Sequence, residues 1–179
     1  NDNQYYNEDN ITILCPTAEL VKNGNETEDY NDASYALLFT PPKKNGGNWK
    51  ILLAGDTHDD SWEYILKNHK NEVSNIDILL APHHGRDSSR NYEFLDTLNP
   101  KVTLFGNASS EHLAYTKYPK TRITNNQAGY VILDTSPDYL KIYVKNFEFA
   151  RDFRAKLGWD KPKYNSKHKA YFLFLYEAK

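Results

Sequence analysis

Methionine is absent from the 179 residues, and cysteine occurs once, as Cys15. A lone thiol excludes an internal disulfide and a thiolate zinc cluster, and it suits a reducing, cytoplasmic compartment. No run approaches the ~20 apolar residues that span a bilayer, and no secretory leader is visible. A ribosomal product begins with Met, whereas this chain begins NDNQYYNEDN. Its first residue is therefore expected to follow a cleavage or to lie inside a longer protein. Repeats and low-complexity tracts are also missing. What remains suits one domain with a real core. Tyrosine is abundant, at 14 residues, and the net charge is −2. That charge is unevenly spread. Residues 1–32 hold eight acids against Lys22, and residues 141–179 hold ten Lys or Arg against four acids. An anionic partner for the C-terminal end follows as an expectation.

The apolar runs set the expected elements. ITIL (11–14), SYALLFT (34–40), KILLA (50–54), IDILLA (76–81) and KVTLF (101–105) read as strands. So do GYVIL (129–133), YLKIYV (139–144) and AYFLFLY (170–176). Polar residues 17–33 read as a loop, and KKNGGN (43–48) as a hairpin turn. Asp59 or Asp60 is expected to cap a helix carrying Trp62, Ile65, Leu66 and His69. Ser88 or Ser89 is expected to cap another carrying Tyr92, Leu95 and Leu98, and FEFARDFRAKLG (147–158) reads as a third. Strands alternating with helices and followed by hairpins predict a layered α/β fold.

Two strands end in chemistry. LLAGDTHDD (52–60) breaks from apolar residues to Gly55 and Asp56, and LLAPHHGRDSS (79–89) breaks to His83, His84 and Gly85. Carboxyl ends of strands are where α/β sheets bind ligands. On neighbouring strands the three side chains converge, and carboxylate with imidazole is a ligand set for Zn, Mn or Fe. His112 in NASSEHLAY, with Lys117 and Arg122, falls on loops expected near the same strand tips, as possible substrate contacts. Lys117, Lys120 and Arg122 together suit a phosphate. His58 is placed either beside the ligands or simply at a helix start.

The order NDAS, KILLAGDT, WEYIL, DILLAPHHGRDSS, LNPKVTLF resembles the second half of a metallo-β-lactamase-fold hydrolase of the ComEC type. That group comprises the domain attached to bacterial DNA-uptake channels and its stand-alone relatives. The residues carrying the likeness are Asn31 and Ser34, Gly55 and Asp56, Glu63, and His83, His84, Gly85, Ser88 and Ser89, within about residues 11–135. The resemblance implies half of a four-layered αββα sandwich over residues 1–140. Residues 141–179 would be an unmatched extension packed on the same domain. It also implies a metal-dependent hydrolase, a phosphodiesterase or nuclease, using two divalent ions, Zn or Mn. Asp56 would bridge the ions, and His83 or His84 would bind one of them. The family's His-x-His-x-Asp-His motif is missing here, so an upstream segment or companion chain is expected to supply it. Nucleic acid or a nucleotide is the implied substrate. Tyr118-Pro119 stands where relatives often have His-Pro, which weakens a substrate role for that loop. The alternative expectation is a metal-free binding or regulatory module on the same fold.

Overall fold

A computed structural model describes residues 8–119 and 121–178. The chain is mixed α/β and divides into two compact units. The first holds the chain up to Thr40 together with Lys50–Arg122, and the second holds Pro41–Trp49 and the chain from Ile123 onward. The boundary expected at residue 140 falls inside a strand, so the basic C-terminal stretch belongs to a unit that begins earlier.

The first unit is built on a mixed sheet whose strands follow one another in chain order. β1 (Ile11–Cys15) pairs antiparallel with β2 (Ala36–Phe39), and β2 with β3 (Ile51–Leu53). β3, β4 (Ile78–Leu80) and β5 (Val102–Phe105) then run parallel. β6 (Arg122–Thr124), which starts at the last residue of this unit, ends the order. Leu38, Leu52 and Leu79 share one face through the ladder and lie fully buried in the core with Trp62, Ile65, Val73 and Phe94. Leu37, Leu53 and Leu80 fill the other face; Leu53 is 38% exposed and its two neighbours are half-buried. The expected apolar strands thus form a sheet with one helix-covered face and an uncovered strip at the carboxyl ends of β3 and β4.

Residues expected as a loop contain a helix, α1 (Ala18–Thr27), whose start is capped by the Thr17 hydroxyl accepting from the Leu20 amide at 3.2 Å. Its Gly24 is a packing glycine. A Cβ there would lie 3.1 Å from the Asp29 carbonyl oxygen. α2 (Asp59–Asn68) begins as expected, but its cap is not Asp59 or Asp60. Asp32 Oδ1 accepts from the His58 and Ser61 amides at 2.9 and 3.0 Å. His69 closes α2 and opens the short α3 (Lys70–Val73), hydrogen-bonded to Glu72 at 2.8 Å, so it is a corner residue instead of a helix-face one. The helix expected from Ser88 or Ser89 forms only as α4 (Phe94–Leu98), after an irregular stretch, and no side chain caps it. Its Phe94 stacks on Trp62 at 4.2 Å.

The second unit carries an antiparallel sheet in the order β7 (Val131–Thr135), β8 (Tyr139–Val144), β10 (Ala170–Glu177), β9 (Tyr164–Asn165). Two helices complete it, α5 (Asn125–Ala128) and α6 (Phe147–Lys156). Phe147 and Phe153 of α6 meet Tyr171 and Phe174 of β10 with ring centroids 5.1 and 5.6 Å apart. The Asn146 side chain caps α6 by accepting from the Phe149 amide. The turn between β2 and β3 projects into this unit, where the Trp49 indole donates to the Ser136 carbonyl at 2.8 Å.

Candidate functional site

β3 and β4 run parallel side by side, so the segments that leave them emerge at the same end of the sheet. Beyond β3 the chain turns at Gly55, which has φ +58°. A Cβ on Gly55 would sit 2.5 Å from the Tyr35 carbonyl oxygen, so only glycine fits this approach. Asp56 follows, half-buried. Thr57 closes the turn, its hydroxyl donating to the Ala54 carbonyl at 2.8 Å.

Beyond β4, Pro82–Gly85 forms a tight turn that departs from strand geometry. His83, His84 and Gly85 are all left-handed, with φ +50°, +58° and +81°. Alternation of faces along a strand therefore does not separate the two histidines. Consecutive left-handed residues with side chains cost of order 1–3 kcal/mol each and persist only where surroundings enforce them. Here the enforcement is visible. The His83 amide donates to the Gly55 carbonyl at 2.9 Å, tying the two turns together. The Arg86 amide donates to His83, and the Ala114 amide donates to Gly85. Phe105 occupies the space that a Cβ on Gly85 would need, and the His84 ring does the same at Gly106.

The structure places Asp56 and His83 on turns that are hydrogen-bonded to each other, and the two histidines differ in burial. His83 is half-buried and its Nδ1 is buried without a hydrogen-bond partner among the described residues, whereas His84 is exposed. Burial pushes the His83 pKa below the usual 6.5; Asp56 opposes this by raising it, while Arg90 and Arg86 reinforce it. Neutral imidazole is the form a metal takes. An NMR titration of the metal-free protein should give a His83 midpoint under 6.5, and Asp56→Asn should lower it further. A midpoint above 6.5 would mean that the carboxylate, and not burial, governs this ring.

The other expected residues are placed as follows. His112 lies exposed on a turn beside the histidine loop, its carbonyl accepting from the Asp87 amide at 2.8 Å. Lys117 is exposed, with its ammonium 5.7 Å from the centre of the Tyr92 ring. Arg122 is committed to its own loop. Its guanidinium donates to the Tyr118 and Pro119 carbonyls and lies 4.7 Å from the Tyr115 ring centre. These bonds brace the turn through Nε and Nη2. Lys120 falls outside the described residues. His58 sits at the start of α2, Nε2 3.2 Å from the Ser88 carbonyl oxygen. Glu63 lines a cleft of about 500 Å³ shared with α1, and neither Asp56 nor the histidine pair lines it.

Sequence reasoning missed Arg90. It is 4% exposed, with Nε donating to Ser88 Oγ at 3.0 Å and Nη1 to the Thr57 carbonyl. It thereby clamps the loop after the histidines to the turn after Asp56, and its Nη2 has no hydrogen-bond partner among the described residues. Only its proximity in sequence to HHG pointed to it.

The donor set, one carboxylate and one imidazole with an orphaned ring nitrogen, fits a divalent transition metal or zinc. It is a partial set: among the described residues no three His, Cys, Asp or Glu side chains cluster closely enough to hold an ion. No family model, curated protein or solved structure matches the chain. No helix among the described residues is long and apolar enough to cross a membrane.

Proposed function

We propose that this chain is the Asp- and His-bearing half of a metal-dependent hydrolase of the metallo-β-lactamase type, cleaving phosphodiesters. The observation that carries the reading is the pairing of a glycine turn and a strained histidine turn at adjacent parallel strand ends, joined by the His83 amide donating to the Gly55 carbonyl, with Asp56 and His83 on the joined turns. Strain of this kind is retained where it positions a working group. Asp56 and His83 would hold metal. Divalent ions held there would supply a hydroxide-like water and charge stabilisation at phosphate. In this reading the chain's own residues do the positioning. Gly55 lets Asp56 project. Thr57 fixes the turn. Arg90 holds the histidine loop against that turn, and its positive charge helps keep His83 unprotonated. Remaining ligands come from a further segment of the same protein or a companion chain bearing the His-x-His-x-Asp-His half. That half would also cover the strip of Leu37, Leu53 and Leu80, completing an αββα sandwich.

Two protein ligands bind metal weakly, since zinc sites normally use three or four. The 179 residues alone are therefore expected to take up little zinc or manganese and to leave bis(p-nitrophenyl) phosphate uncut. Adding the complementary half, in the same chain or as a second one, should restore both properties. A metal-loaded, active 179-residue protein overturns the division of ligands, and a complete protein that binds no metal overturns the hydrolase.

A further inference from the structure

The second unit holds twelve Lys or Arg against six Asp or Glu, a net charge of +6, while the first unit carries ten against eighteen, a net of −8. The excess is concentrated between α6 and β10. From Phe153 to Tyr176 there are six cations, Arg154, Lys156, Lys161, Lys163, Lys167 and Lys169, and a single acid, Asp160. All five lysines are exposed, and among the described residues none has an ion-pair partner.

This segment has a fixed shape. Arg154 reaches out of α6 and donates through Nε to the Asp160 carbonyl at 2.6 Å and through Nη1 to the Leu173 carbonyl at 2.7 Å. Pro162 is buried between exposed Lys161 and Lys163. The Phe172 amide donates to the Lys163 carbonyl at 2.8 Å, and β9 then pairs with β10 at the sheet edge. The Asn165 side chain accepts from the His168 amide and closes the turn that follows.

Aromatic rings stand in the open within this framework. Trp159 is 45% exposed, braced by Arg154 5.5 Å from its ring centre. Tyr164 is 57% exposed and leans on Tyr171 at 5.1 Å. A lysine-rich surface kept only for solubility gains nothing from large rings held outward. Rings interleaved with unpaired cations match a polyanion that also offers flat apolar faces. Single-stranded nucleic acid has that chemistry, because its bases are free to stack and its phosphates run alongside. Duplex hides its bases from such rings, and an anionic lipid surface has none.

We infer that the Arg154–Lys169 segment is a binding surface for single-stranded nucleic acid, with Trp159 and Tyr164 stacking on bases and Lys161, Lys163, Lys167 and Lys169 following phosphates. The surface goes beyond the hydrolase reading and does not rest on it.

Tryptophan fluorescence tests it directly, because Trp49 and Trp62 are 1% and 3% exposed and Trp159 alone faces solvent among the three. The full chain, in EDTA so that metal chemistry plays no part, is titrated with oligothymidylate, with a mixed-sequence duplex, and with equimolar phosphatidylserine–phosphatidylcholine vesicles. Expected are saturable quenching by the single strand, loss of acrylamide access to Trp159, and weaker binding of duplex and vesicles. Tyr164→Ala, read by Trp159 quenching, and Trp159→Ala, read by the anisotropy of fluorescein-labelled oligothymidylate, should each weaken binding roughly tenfold. Lys161→Gln with Lys163→Gln should flatten the salt dependence, each lost phosphate contact removing about 0.7 from the log–log slope. No binding, equal affinity for duplex, preference for vesicles, or indifference to both ring substitutions overturns the inference. Each of these outcomes leaves the Asp56 reading untouched.

Discussion

Asp56→Asn in the complete protein should leave the fold intact and remove hydrolysis. Asn keeps the size of the side chain and its place after Gly55, so the turn closed by Thr57 and the His83 amide is undisturbed. What is lost is negative charge at the point where two positive ions would meet. Changing groups that merely orient metal ligands costs 10–100-fold, so removing the carboxylate proposed to hold metal should exceed about a hundredfold in rate. Metal content by mass spectrometry under native conditions should fall with it. His83→Ala should behave like Asp56→Asn, and His84→Ala should retain metal, because His83 is the half-buried ring beside Asp56 and His84 is exposed against Gly106. Full metal occupancy and full activity in Asp56→Asn would remove the basis of the proposed function, and equal metal loss in the two histidine variants would remove the distinction between them.

Gly85→Ala should be among the most damaging small substitutions in the chain. Two costs coincide there. A left-handed φ of +81° disfavours any Cβ by about 1–2 kcal/mol. The Phe105 ring also fills the space a Cβ needs, and overpacking of this kind costs about 1–3 kcal/mol. Together they amount to about 2–5 kcal/mol, a fall in melting midpoint of roughly 4–20 °C for a chain of this size. Gly47 is the control. Its φ is +74°, but nothing lies within 4 Å of a Cβ there, so Gly47→Ala carries the backbone cost alone. Equal midpoints for the two variants would show that Phe105 yields and that the histidine loop is less tightly held than its geometry implies.

The strands were legible because burial on both faces leaves an uninterrupted apolar run, as in ILLA at 78–81. Asp56 and the histidines could be placed at strand ends for the same reason: polarity returns where the run stops. α1 was hidden by composition. Most of its residues are polar, and Gly24 reads as a breaker when it is there to admit the Asp29 backbone. The cap of α2 was out of reach, because Asp32 lies 26 residues from His58 and no local pattern joins them. The left-handed conformation of His83 and His84 was equally hidden. Nothing in the PHHG sequence distinguishes it from a strand end; the bonds to Gly55 and Ala114 impose it.

The chain enters the second unit twice, once at Pro41 for a nine-residue excursion and again at Ile123. Neither unit is therefore a continuous stretch of sequence, and no single cut releases one intact. A stop after Arg122 would keep Trp49 while deleting Ser136, the acceptor of its indole N–H, and would bare a large ring that is now 1% exposed. A protease nick at the same place would have a different consequence. The tip of the β2–β3 hairpin, carried on one fragment, would remain bonded to the other. The two pieces would be expected to co-purify as a non-covalent pair, held by a segment that one fragment contributes to the fold of the other.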